Sequence, residues 1–183
     1  MNSADLAAYA ALVRDWAPRL DLISPGDLER FEERHIRDSL RALPLVEALP
    51  DGIALDVGSG AGLPGIPLAL AGRPRRWRLM EPRRRRAAFL EECVRALALD
   101  CEVVTTTVQD AARMPGLAAG HVCALSRALA PPATALALLL PLVVPGGTAA
   151  VFMGRDGKVP PGATLGREGL AIMRREGGGD ADG

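Results

Sequence analysis

The spacing of apolar residues predicts three helices in the first fifty residues. Apolar side chains recur every three to four residues through the first helix, which we expect to end near Leu20. Ser24 followed by Pro25 is an N-cap with proline at the first helical position, so a short second helix is expected there. A third helix is predicted from Arg34 to Leu49, before the turn residues 50–52.

From residue 53 onwards, short apolar runs alternate with helical segments. This alternation is typical of a mainly parallel sheet covered by helices on both faces. We therefore predict an α/β, Rossmann-like fold with an N-terminal helical extension. The predicted strands are 53–57, 77–80, 102–107, 122–125 and 148–152, and the predicted helices between them are 64–71, 83–99 and 132–144.

The length of 183 residues suits one globular domain. We expect a helical extension over residues 1–50, packed on a core domain of residues 51–176. A disordered tail is expected over residues 177–183, since GGGDADG is rich in glycine and aspartate. Four prolines interrupt the uncharged stretch 128–145, so no membrane span is expected.

Charge and cysteine usage narrow the function. The 22 basic and 22 acidic side chains cancel, which excludes a uniformly basic nucleic-acid binder but not a local basic patch. The three cysteines are scattered, so no metal site is expected. They fit a reducing cytoplasm, and we expect a cytoplasmic monomer.

The most informative stretch is Asp56–Gly65, DVGSGAGLPG, which follows a buried strand and opens a helix. Glycines there let the backbone approach a ligand closely. Gly60-x-Gly62-x-x-Gly65 matches the dinucleotide fingerprint. Counted from Gly58, the spacing instead matches S-adenosylmethionine (AdoMet) sites, with an acidic residue just upstream. Because a carboxylate can receive the amino group of AdoMet but repels a pyrophosphate, AdoMet is the expected ligand.

Glu81 ends the second strand, where an acidic side chain accepts hydrogen bonds from ribose hydroxyls in Rossmann-like folds. A salt bridge to the surrounding arginines is the alternative. Eight arginines lie between Arg73 and Arg86. They form either a solvated surface or a phosphate-contact patch, and the candidate RNA contacts are Arg83, Arg84, Arg85 and Arg86.

These motifs resemble the RsmG (GidB) family of bacterial small-subunit (16S) rRNA guanine-N7 methyltransferases. The most specific match is DVGSGAGLPGIPL at residues 56–68. DLISP at 21–25, RHIRDSL at 34–40 and SRA at 126–128 are similar to further family motifs. The resemblance implies a class I AdoMet-dependent methyltransferase fold, AdoMet as cofactor, and small-subunit rRNA or its ribonucleoprotein particle as partner.

The resemblance also implies roles for single residues. We expect eight residues at the AdoMet site, including the two acidic candidates introduced above. They are Asp56, Gly58, Gly60, Leu63, Glu81, Val108, Gln109 and Arg127. No general base is expected, because guanine N7 carries a lone pair and no proton, and alignment with the methyl group suffices. The positioning candidates are therefore Arg34, His35, Pro64 and Arg127, although a lone histidine is more often structural.

The chain also departs from the family pattern. Val122, Leu129 and Met153 stand where the family usually has Asp, Phe and Lys. We expect Met153→Lys to raise methyl transfer unless Met153 packs in an apolar interior.

Two alternatives to rRNA methylation stay open. They are a non-catalytic RNA- or AdoMet-binding descendant, and a methyltransferase of another substrate. Residues 169–175, GLAIMRR, are expected to preserve one of the family's final antiparallel strands.

Overall fold

A computed structural model describes residues 3–154, 157–166 and 168–177. Within these residues seven strands form one sheet in the order β3-β2-β1-β4-β5-β7-β6. The first five strands are parallel, and β7 runs antiparallel to both β5 and β6. The strands are β1 Ala54–Val57, β2 Trp77–Met80, β3 Cys101–Val104, β4 His121–Ser126, β5 Val143–Phe152, β6 Thr164–Leu165 and β7 Leu170–Arg174.

Helices cover both faces of the sheet, so the predicted α/β architecture is confirmed. All four residues of β1 are buried, as expected for a central parallel strand that is covered on both sides. The α-helices are α1 Ser3–Leu20, α2 Pro25–Leu28, α3 Arg37–Ser39, α4 Leu43–Glu47, α5 Gly65–Ala71, α6 Arg84–Ala96, α7 Val108–Ala111 and α8 Pro132–Leu139.

The third predicted helix is not continuous. A π-helical turn at Glu32–Ile36 leads into α3, and a 3-10 turn at Leu40–Ala42 separates α3 from α4. Pro44 lies in the first turn of α4. Because proline has no backbone N–H to donate to the preceding turn, the helix is interrupted before it.

The fifth strand begins earlier than predicted. Val143 already pairs with His121, and the register then shifts before Thr148 pairs with Cys123. Residues 145–147, PGG, lie within this irregularity, where the amide of Gly146 donates to the carbonyl of Arg175. The turn residues therefore form a bulge within β5 instead of ending a loop before it.

The N-terminal helices pack on the sheet through a shared buried cluster. Tyr9 and Val13 of α1 meet Ile66 of α5 and Phe89 of α6 in this cluster. The hydroxyl of the fully buried Tyr9 donates to the carbonyl of Ala61 over 2.7 Å. The glycine-rich loop is thus covered by the N-terminal extension.

The C-terminal part contains the expected antiparallel strand and a second, shorter one. The expected final strand is present as β7, and the two-residue β6 pairs with it. Residues 178–183 of the expected disordered tail lie outside the described residues. In the part of the chain that the structure covers, no helix is long and apolar enough to cross a bilayer.

Candidate functional site

The loop after β1 runs along the carboxyl ends of β1 and β2. Gly58, Gly60 and Gly62 have φ angles of 75°, 55° and 93°, a backbone conformation that residues with a Cβ rarely adopt. The amide of Gly58 donates to the carbonyl of Met80, the last residue of β2, over 2.9 Å. The loop is therefore held at the edge of the sheet where open α/β folds bind ligands.

Asp56 lies beneath this loop and is fully buried. Its Oδ2 accepts a hydrogen bond from the amide of Gly65, at the start of α5, over 2.9 Å, whereas Oδ1 has no partner among the described residues. Burial raises the pKa of this carboxyl to about 7, and the Gly65 hydrogen bond opposes the shift only in part. Asp56 therefore supports the loop from below and lines neither cavity described next, and its expected contact with the AdoMet amino group, direct or through water, stays a prediction.

Replacing Asp56 with asparagine is expected to reduce the pH dependence of stability. The raised pKa means that the folded protein holds a proton that the unfolded chain releases above its ordinary pKa of 3.8. The contribution to stability is thus present at low pH and is lost as the pH rises towards 7. Between pH 5 and pH 8, the free energy of unfolding of the wild type should therefore fall by about 2–3 kcal/mol more than that of the Asn variant.

Chemical denaturation at these two pH values measures the change. Asp51→Asn is the control, because the Asp51 side chain is 95% exposed. The same pH dependence in wild type and Asp56→Asn would contradict the prediction.

Glu81 also holds the loop. Its Oε2 accepts a hydrogen bond from the amide of Gly60 over 3.0 Å, and its Oε1 accepts one from the amide of Arg83 over 2.9 Å. The carboxylate therefore joins the loop to the start of α6, and within the described residues it makes no salt bridge to an arginine. Each oxygen keeps a second lone pair, so the ribose contact stays a prediction.

A cavity of about 400 Å³, the loop cavity, opens beside the glycine-rich loop. Gly58, Val108 and Gln109 line it. Pro82 and Thr107 also line it, although the sequence analysis did not single them out. The cavity thus lies at the ends of β1 and β2 and at the turn after β3.

A second cavity of about 330 Å³, the Arg127 cavity, lies at the ends of β4 and β5. Leu129 and Ala130 line both cavities, so the two adjoin. The Arg127 cavity is also lined by Asp38, from the N-terminal helices, and by Ser126. The Ser126 Oγ is buried and has no hydrogen-bond partner within the described part of the chain.

Asp38 links two arginines at this cavity. Its Oδ2 lies 3.3 Å from Nη1 of Arg127, and its Oδ1 lies 2.5 Å from Nη1 of Arg41. Arg41 also donates to the carbonyls of Glu168 and Gly169, at 2.7 and 3.1 Å. Three distant parts of the chain therefore meet here. Asp38 lies in the RHIRDSL motif but is not among the site residues predicted from the sequence.

Leu63, expected at the AdoMet site, and Pro64, expected to position the ligands, line neither cavity. Residues 61–68 are all buried, and Leu63 packs in the cluster that contains Tyr9 of α1. The apolar LPGIP segment is covered because its side chains supply the surface on which the N-terminal helices pack.

Arg34 and His35 also lie outside both cavities. Arg34 forms a 2.5 Å ion pair with Asp27. The His35 Nε2 is buried and lies 4.0 Å from the same carboxylate. The pKa of the imidazole is lowered, chiefly by burial and secondly by the charge of Arg127. The expected positioning roles are therefore not supported by direct contact with either cavity.

The eight clustered arginines separate into two groups. Arg73, which precedes β2, donates to the carbonyl of Leu49. Arg78, which lies in β2, pairs with Glu102. By contrast, the run 83–86 lies beyond the carboxyl end of β2 and is exposed except for the half-buried Arg86. This run directly follows Pro82, which lines the loop cavity described above, so a phosphate-contact role concerns these four side chains.

The departures from the family pattern fall at distinct places. Leu129 lies over Gly58, and a Cβ built on Gly58 would come within 3.1 Å of the Leu129 Cδ1. Met153 lines the Arg127 cavity but is only 9% exposed within an apolar cluster. Val122 is at the start of β4, the opposite end from the cavities.

Among the described residues, no group of three or more His, Cys, Asp or Glu is placed to hold a metal ion.

The strand order, the antiparallel β7 and the glycine-rich loop after β1 define a class I AdoMet-dependent methyltransferase fold. Two solved structures share it. A protein from Corynebacterium glutamicum has a TM-score of 0.62 at 13% identity, with 92% of this chain and 90% of that chain covered. A protein from Methanococcus maripaludis, described as an S-adenosyl-L-methionine-dependent methyltransferase, has a TM-score of 0.60 at 15% identity, with 94% of each chain covered.

Sequence comparison identifies the family. Residues 2–158 match the GidB family, rRNA small subunit methyltransferase G. A ribosomal RNA small subunit methyltransferase G from Granulibacter bethesdensis is 40% identical over 152 residues, which are 82% of this chain and 67% of the relative. Its counterpart from Dinoroseobacter shibae is 33% identical over 83% of this chain and 77% of the relative. The chain belongs to the GidB family, which confirms the predicted resemblance.

Proposed function

We propose that this protein transfers the methyl group of AdoMet to N7 of a guanine in small-subunit ribosomal RNA. The observation that carries the proposal is the pair of adjoining cavities, in a member of this family, at the carboxyl ends of the parallel strands. One cavity lies against the glycine-rich loop, and the other combines an apolar lining with the polar side chains of Asp38, Ser126 and Arg127. Two separate ligands can therefore be held side by side. We further propose that the enzyme acts in the cytoplasm as a monomer, without a metal ion.

The lining of the loop cavity supports AdoMet as its ligand. Gly58 provides a surface without a side chain, and a Cβ there would narrow the space towards Leu129. Val108 offers an apolar contact, and Gln109 offers an amide that can both donate and accept. When bound, AdoMet supplies an electrophilic methyl group. Gly58, Val108 and Gln109 would hold it, with Arg127 beyond Leu129.

The residues of this chain contribute orientation instead of proton transfer. Guanine N7 needs no deprotonation, so the rate gain comes from holding the base in line with the methyl group. Glu81 and Asp56 serve this end by fixing the loop from both sides. Leu129 and Ala130, which border both cavities, would lie between the two ligands.

Radiolabelled AdoMet and purified small-subunit particles test the proposal. Particles from cells that lack this gene should gain N7-methylguanine, located by chemical cleavage at the modified base. A protein that binds AdoMet but transfers no methyl group to these particles would instead be a non-catalytic descendant. Transfer to another class of acceptor would identify a different substrate.

Replacing Arg84 and Arg85 with glutamine is expected to weaken RNA binding and to reduce its salt dependence. Each phosphate contact that is lost reduces counterion release, so the slope of log affinity against log salt should fall by about one to two. Arg76→Gln combined with Arg95→Gln is the matched control, because it removes the same charge from exposed positions elsewhere. Filter binding across a salt series measures both slopes. If the slopes of the two double variants are equal, the arginines at 83–86 form only a solvated surface.

A further inference from the structure

We propose that the Arg127 cavity holds the target base and that Asp38 identifies it as guanine by accepting hydrogen bonds from N1–H and the 2-amino group. This inference rests on the proposed function and assigns its base-recognition site. The cavity adjoins the loop cavity across Leu129 and Ala130. A base held in it therefore lies next to a ligand held against the glycine-rich loop.

The size and lining of the cavity suit an extruded base. Its volume of about 330 Å³ is at the lower end of the range for small-ligand pockets, about 300–1,000 Å³. Phe152 and Met153 supply apolar surface, and Asp38 and Arg127 supply charge. Enzymes that modify bases hold the extruded base between aromatic and apolar side chains and bind its Watson–Crick edge with polar groups.

Asp38 is held in a fixed position. Arg41 binds its Oδ1 at 2.5 Å and is itself anchored on the carbonyls of Glu168 and Gly169. Oδ2 has only the longer 3.3 Å contact with Arg127. The Arg41 contact thus orients the carboxylate, and Oδ2 keeps the capacity to accept hydrogen bonds from a ligand.

The chemistry of the carboxylate selects guanine. An ionised carboxylate only accepts hydrogen bonds, and guanine presents two adjacent donors, N1–H and the 2-amino group. Adenine places an acceptor at N1, which a carboxylate repels. The Ser126 Oγ, which is buried without a partner, and the Arg127 guanidinium are donors for guanine O6. The cavity therefore complements one purine edge and leaves N7 free.

The same carboxylate favours the reaction itself. Methylation of N7 gives the base a positive charge, and Asp38 is the acidic residue that lines this cavity. A hydrogen bond from N1–H to a carboxylate strengthens as the ring becomes cationic, so the interaction is stronger in the transition state than in the bound substrate. Loss of the charge should thus lower kcat as well as raise KM for RNA.

The test uses small-subunit particles reconstituted with rRNA that carries either guanosine or inosine at the methylated position. Inosine keeps N1–H and lacks only the 2-amino group. The wild-type kcat/KM should be about tenfold to a hundredfold lower on inosine, the range expected for losing a hydrogen bond to a charged group. In Asp38→Asn, kcat on guanosine should fall, and the guanosine-to-inosine ratio should fall to within about threefold of one.

Asp27→Asn is the matched control. Like Asp38, Asp27 lies in the N-terminal helical part of the chain and pairs with an arginine at 2.5 Å, and each of the two side chains is 30% exposed. Unlike Asp38, Asp27 lines neither cavity. This variant should keep the wild-type guanosine-to-inosine ratio. Thermal melts and AdoMet calorimetry establish that each variant is folded and binds its cofactor.

Two results would overturn the assignment of Asp38: equal wild-type rates on guanosine and inosine, or a folded Asp38→Asn that keeps the wild-type ratio. The wild-type comparison stands even if the Asn variant does not fold. Wild-type protein that binds AdoMet but modifies neither type of particle would overturn the proposed function, and with it this assignment.

Discussion

Gly58→Val is expected to weaken AdoMet binding by more than about a hundredfold, which corresponds to about 2.7 kcal/mol or more. Gly58 lines the loop cavity, and the branched side chain would fill the surface that the ligand needs. A Cβ at this position would already lie 3.1 Å from the Leu129 Cδ1. Isothermal titration calorimetry with AdoMet measures the effect.

The backbone at Gly58 adds a second cost, because its φ of 75° is unfavourable for valine and strain of this kind costs about 1–3 kcal/mol. Gly146→Val separates the two effects. Gly146 has a similar φ of 77°, but apart from its chain neighbours no atom of the described residues lies within 4 Å of a Cβ added there. The control should lose stability and retain AdoMet affinity. A folded Gly58→Val with unchanged affinity would show that the ligand does not approach this loop.

Met153→Lys is expected to destabilise the fold by about 3 kcal/mol or more, the cost of a buried charge without a partner. Met153 is 9% exposed and packs in the apolar cluster that includes Leu136 and Val151. The nearby Asp38 is already paired with two arginines. This burial is the condition under which the sequence predicted a loss of stability from Met153→Lys, and not a gain in methyl transfer.

A thermal melt, run beside the methyl-transfer assay, measures this cost. Met153→Leu is the control, since it keeps the apolar volume and should cost less than about 1.5 kcal/mol. A stable Lys variant with a lower KM for RNA would contradict the prediction. It would mean that Asp38 or an RNA phosphate neutralises the ammonium group.

Local sequence determined the parallel core. The strand Trp77–Met80 has the predicted bounds, and β1 begins one residue later than predicted. These strands are short apolar runs, bounded by glycine, proline or charged residues, so their ends are specified within a few residues of the chain. The glycine-rich loop was equally predictable, because its spacing and its place after a buried strand depend only on neighbouring residues.

The interruptions were harder to predict, since they depend on competition between local and tertiary interactions. Pro44 by itself allows either a kinked helix or a broken one. The structure shows separate short helices whose side chains reach different partners, with Asp38 at the Arg127 cavity and Val46 in the core beside Trp77. Apolar periodicity alone could not distinguish the two.

The sequence by itself determined the fold class, the family and the position of the glycine-rich loop, because each depends on residue types at short, fixed spacings. Only the tertiary structure decided what each polar side chain contacts. It placed Asp56 beneath the loop, packed Leu63 in the cluster that contains Tyr9 of α1, and joined Asp38 to Arg127 across 89 positions of the chain. A buried carboxylate binds whichever N–H or guanidinium group the packed helices and strands bring to it, and that neighbour is set by the folded chain as a whole.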